Sequence, residues 1–94
     1  MVTMFVRHKV SDYANWKRVY DEFASTRKEK DVTAASVHRD PNESDRIIIM
    51  HQFKDMNAAA AFAHSEELKS SMEKAGVIGK PEIWFGEDIE HTPF

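Results

Sequence analysis

The chain has 94 residues, 41% of them hydrophobic and 31% charged, with a net charge of −3 and no cysteine. Such values describe one globular domain without the basic footprint that nucleic acid or an anionic membrane requires, and they exclude disulfides, thiolate nucleophiles and cysteine-held metals. A single domain of this size buries only about 60–65% of its unfolded surface, so association with a second copy is expected.

Val2 to Val10 alternates, with Val2, Met4, Val6, His8 and Val10 on one face and Thr3, Phe5, Arg7 and Lys9 on the other, and this predicts a strand. The start Met1-Val2-Thr3-Met4-Phe5 lacks the basic and long apolar regions of a signal peptide, and no apolar run approaches the roughly 18 residues that span a bilayer. A cytoplasmic protein is the expectation. Ser11-Asp12 offers an N-cap, after which Tyr13, Trp16, Tyr20 and Phe23 recur at helical spacing and predict a helix running to Lys30. Arg27, Lys28 and Lys30 near its end read as a solvated helix terminus favoured by the dipole.

Val32 to Arg39 predicts a second strand, turned back by Asp40-Pro41-Asn42 into Arg46 to Phe53. The latter, with three consecutive isoleucines, reads as a central strand buried on both faces, and its polar pair His51-Gln52 must find partners there. Asp55 caps a second helix from Met56, Ala58 to Ala61 form a small-residue strip, and the apolar stripe breaks between Phe62 and Leu68. A kink or restart is therefore expected at His64-Ser65, with glycine at position 76 as the stop. Gly79-Lys80-Pro81 reads as a turn, Glu82 to Glu90 as a fourth strand, and His91 to Phe94 as a tail.

The order strand, helix, strand, strand, helix, strand predicts an α+β, ferredoxin-like βαββαβ domain over residues 1–94. Its four-stranded antiparallel sheet carries both helices on one face. The other face, with Phe5, Val37 or His38, and Trp84 or Phe85, is too apolar to stay wet, so a homodimer is expected, with Trp84 as an anchor.

The run Phe5-Val6-Arg7-His8-Lys9-Val10 followed by Asp12-Tyr13-Ala14-Asn15-Trp16-Lys17, the strand end Phe53 before Lys54-Asp55 and an alanine-rich helix, and Phe62 to Met72 resemble the dimeric α+β barrel superfamily. The resemblance is to antibiotic-biosynthesis-monooxygenase-like proteins and small polyketide cyclases. It implies two sheets facing each other across a dimer, and an apolar cavity in each subunit between sheet and helices. At the positions where haem-degrading relatives carry their working residues this chain has His8, Phe62 and Met72, and at those of the plant-type cyclases Ala61 or Phe62 and Glu67. Neither set matches, so neither mechanism is implied.

Two histidines in apolar strands are the candidates for chemistry. If His8 and His51 both face the helices, they enter one cavity and can act as acid and base, since imidazole titrates near neutral pH. Alternatively each is a core histidine bonded to a backbone carbonyl or to Tyr20, or a metal ligand. Met4, Val6, Trp16, Tyr20, Ile49, Phe62, His64 and Met72 are the expected substrate contacts, and no metal or cofactor is called for. The function expected is a cofactor-independent monooxygenase or cyclase/isomerase acting on a small hydrophobic, aromatic or polyketide-like molecule. A non-catalytic dimeric module that binds a small ligand is the alternative. No phosphate-binding glycine loop, G-x-S-x-G or H-E-x-x-H occurs.

Overall fold

A computed structural model describes residues 1–94. Its elements are β1 (Val2–Val10), α1 (Tyr13–Glu22), α2 (Ala24–Glu29), β2 (Val32–Arg39), β3 (Arg46–Phe53), α3 (Met56–Ala63), α4 (Glu66–Lys74) and β4 (Val77–Glu87). The strands form one antiparallel sheet in the order β2-β3-β1-β4, the α+β arrangement expected of the chain. Period-2 alternation puts Val2, Met4, Val6, His8 and Val10 of β1 and Ile47, Ile49, His51 and Phe53 of β3 on one face, all buried. Trp16, Val19, Ala59, Phe62 and Leu68 from the helices close over that face and complete the core.

Both helical spans are broken. Phe23 ends α1 and opens α2, so the single helix expected to reach Lys30 is two pieces. No glycine or proline announces this break; Phe23 turns toward Phe62, with ring centroids 6.3 Å apart. The second break falls at His64-Ser65, where expected, and Ser65 restarts the helix by accepting the Leu68 N–H. Gly76 follows α4 at φ +76°, and a Cβ there would meet the Ser11 hydroxyl oxygen at 2.6 Å.

Two strand expectations are corrected. β4 begins at Val77 and ends at Glu87, so Gly79-Lys80-Pro81 is no turn but a bulge: Arg7 pairs with Glu82 and Lys9 with Ile78, leaving three β4 residues opposite His8. An edge strand tolerates this, because its outer backbone groups face water and proline loses nothing there. β3 is buried on one face only within the chain; Ile48, Met50 and Gln52 on the other are half-buried. That outer face also carries a Phe5–Trp84 stack at 5.5 Å and Arg7, whose guanidinium lies 2.9 Å from Asp40, 3.3 Å from Glu43 and 3.6 Å from Glu82.

Candidate functional site

The β1–β3 register pairs Val6 with Ile49 directly, His8 with Ile47, and Met4 with His51. The two histidines therefore share a face but stand four residues apart, an offset of about 13 Å along the strands at the usual rise per residue. Val6 and Ile49 form the floor between them. Trp16 and Tyr20 of α1, Phe23, Arg27 of α2, and Leu68, Ser71, Met72 and Ala75 of the α4 region form the roof. Together they enclose a cavity with about 40 Å³ open to the centre of a water molecule. Tyr20, Phe23, Arg27, Ser71 and Met72 are half-buried and make its rim.

His8 is 3% exposed and His51 5%, and both nitrogens of His8 and Nδ1 of His51 have no hydrogen-bond partner. The rings are held by aromatic contacts instead: the edge of Trp16 on His8 at 5.9 Å and Phe62 on His51 at 5.2 Å. A buried polar group without a partner costs about 1–3 kcal/mol, which a ligand bonded to it restores. Burial pushes the pKa of His8 down to about 4. His51 is also pushed down to about 4, by burial first, then by the charge of Arg27 and by His8. Titration near neutrality, expected from imidazole itself, is thus overridden by desolvation. Both rings are neutral at pH 7, able to accept a proton or share a hydrogen bond.

Seven of the expected residues line this cavity: Val6, His8, Trp16, Tyr20, Ile49, His51 and Met72. Met4 and Phe62 are wholly buried in the packing beside it, and His64 is exposed on a separate surface groove of about 470 Å³ that shares only Leu68 and Met72 with it. Sequence reasoning missed Phe23 as a contact, along with Arg27, Leu68, Ser71 and Ala75. For Arg27 a signal existed: Trp16, Tyr20 and Phe23 continue at the same spacing to position 27, so the aromatic stripe ends on the guanidinium. Arg27 is not the solvated helix end expected of it. It lies 3.7 Å over the Tyr20 ring and donates to the Tyr20 carbonyl at 2.6 Å. Nowhere do three His, Asp or Glu side chains gather as a cation site would need.

Comparison with known proteins adds the family. The sequence profile of the antibiotic biosynthesis monooxygenases matches residues 1–74. No curated protein matches the chain. Among solved structures, a protein from Deinococcus radiodurans classed with the antibiotic biosynthesis monooxygenases is similar at 14% identity and a TM-score of 0.76, covering 100% of this chain and 98% of its own. One from Bordetella bronchiseptica, classed likewise, reaches a TM-score of 0.81 at 8% identity, covering 95% and 97%. SnoaB of Streptomyces nogalater, a cofactor-independent oxygenase, has a TM-score of 0.79 at 12% identity, covering 99% and 97%. At such identities these likenesses speak for the fold alone. The profile match over most of the sequence goes further, and by it this chain belongs to the antibiotic biosynthesis monooxygenase family.

Proposed function

We propose that the protein is a cofactor-independent oxygenase for a small phenolic aromatic, bound between sheet and helices against His8 and His51. The observation that carries this reading is the pair of buried imidazoles, three of whose four ring nitrogens have no partner in the protein, in the lining of a mostly apolar chamber. A hydroxylated ring fits both features: its faces suit the Trp16 and Tyr20 wall, and its hydroxyls satisfy the imidazoles. Proton removal by a neutral imidazole leaves an electron-rich phenolate beside the imidazolium it has created, so each charge gains the partner that burial denied it. For a hydroquinone the balance closes without external reductant: hydroquinone and dioxygen give hydroxyquinone and water. The family membership and the likeness to a cofactor-independent oxygenase support the same chemistry.

The unit that acts is, on this reading, a homodimer closed over the outer sheet face, where Phe5, Ile48, Met50 and Trp84 lie half-buried or exposed. A cysteine-free chain suits the reducing cytoplasm, where we locate it. The test is oxygen uptake with hydroquinone under labelled dioxygen. The expected result is one labelled oxygen in the hydroxyquinone and one in water, with turnover falling by about 100-fold or more in His8→Phe and His51→Phe. Uptake that yields only unlabelled quinone and peroxide, or variants as active as the wild type, would overturn it.

A further inference from the structure

The cavity lining is electrically lopsided. Its 12 residues include one guanidinium and two imidazoles but no carboxylate. Arg27 makes no ion pair. Asp21, the acid whose charge Arg27 feels, is held by Lys17 at 2.5 and 2.7 Å, while Glu22 is taken by Arg18 and Glu67 by Lys30. Of the five guanidinium N–H groups one bond is used, to the Tyr20 carbonyl. The Ser71 hydroxyl lines the same cavity from α4. The Tyr20 ring and carbonyl offset part of the desolvation of this cation, but no carboxylate pairs with it, so four of its five N–H groups are left for a ligand.

We propose that the substrate is a single-ring phenol bearing a carboxylate, with Arg27 at the rim holding the acid group and the hydroxyl reaching the histidines. The inference rests on the oxygenase reading above and adds the charge and size of the ligand. Size follows from the cavity: about 40 Å³ of water-centre space admits no polycycle, and even one ring requires the flexible Met72 to shift. The ends are then distinct. Trp16 lies on His8 at 5.9 Å, Tyr20 stacks on Trp16 at 5.1 Å and Arg27 lies over Tyr20 at 3.7 Å, so the guanidinium stands at the end of this row away from His8, and the acid group sits there with the reacting hydroxyl toward His8. His8, free of a neighbouring cation, is the proton acceptor. His51, beside the guanidinium, stays neutral and donates a hydrogen bond.

The two claims separate in one calorimetric comparison, using 2,5-dihydroxybenzoate and the matching amide, 2,5-dihydroxybenzamide, on wild type and on Arg27→Gln. Bidentate pairing of Arg with a carboxylate is specific enough that the acid should bind wild type at least about tenfold more tightly than the amide. In Arg27→Gln the ratio of acid to amide affinity should fall to about one, whatever both ligands lose in common, and Arg27→Lys should recover part of it. Equal binding of acid and amide to wild type sinks the inference and leaves the oxygenase reading standing. Failure of both to bind wild type sinks both.

Discussion

The histidines at positions 8 and 51 carry a stability signature that can be read without any ligand. Their folded pKa values, about 4, lie below the ordinary 6.5, so the unfolded chain takes up protons first as pH falls. Their contribution is therefore fully present above pH 6.5 and is lost progressively from there down toward pH 4. At pH 4.5 the loss should be about 2–3 kcal/mol for each ring, on the scale of 1.4 kcal/mol per pH unit. Urea unfolding at pH 7 and pH 4.5 measures it: wild type should lose more stability between the two than His8→Phe. Equal losses would mean that the imidazole is hydrated or paired in solution. Both residues were legible in the sequence as polar breaks in apolar alternation. What was not legible was their neutrality, because that depends on Trp16 and Phe62 arriving from distant segments.

The helices and strands explain where local patterning succeeds and where it stops. The restart at Ser65 was readable because the apolar stripe slips there and a capping residue follows. The break at Phe23 was not, since its cause is a tertiary contact with Phe62. In β4, glycine and proline imitate a turn, yet β1 supplies pairing partners on both sides of them and the edge strand absorbs the excess as a bulge beside His8. Arg27 was misread for a related reason: charge at a helix end is usually solvated, and the stripe that leads to it is visible only when an aromatic pattern is allowed to end on a cation. The junction between the end of α4 and the start of α1 gives the element-level prediction. Ser11 donates its N–H to the Gly76 carbonyl at 3.1 Å, and Asn15 donates to the Lys74 carbonyl at 3.1 Å, so this seam fixes Ala75 in the cavity wall. Gly76→Ala should cost more than about 1 kcal/mol, combining a left-handed backbone with the contact on Ser11. Thermal unfolding of Gly76→Ala and of Gly76→Ala/Ser11→Ala separates the two causes: the double variant should regain only part of the loss, and complete recovery would remove backbone strain from the account.

For the whole molecule, the bare side of the sheet is the surface on which a second copy would assemble. Phe5 and Trp84 stack there, Ile48 and Met50 lie beside them, and a groove over Phe5 and Met50 continues to Ile89 of the C-terminal segment. Ile89 is 96% exposed, an apolar side chain with nothing of its own subunit to cover it. A second copy facing this layer would bury all of these, as the proposed homodimer requires. Sedimentation should then find wild type as a dimer, and Trp84→Glu combined with Met50→Glu shifted to monomer by at least tenfold weaker association, with helical content retained. A wild type that sediments as a monomer at high concentration contradicts the dimer.

The most direct measurement addresses the imidazoles themselves: nitrogen-15 spectra of the histidine rings at pH 7, recorded before and after addition of 2,5-dihydroxybenzoate. Neutral rings are expected for His8 and His51 in the free protein, with marked shifts of both on addition, while His38, His64 and His91, all exposed, stay where they were. Unmoved resonances for His8 and His51, or shifts confined to the exposed three, would contradict it.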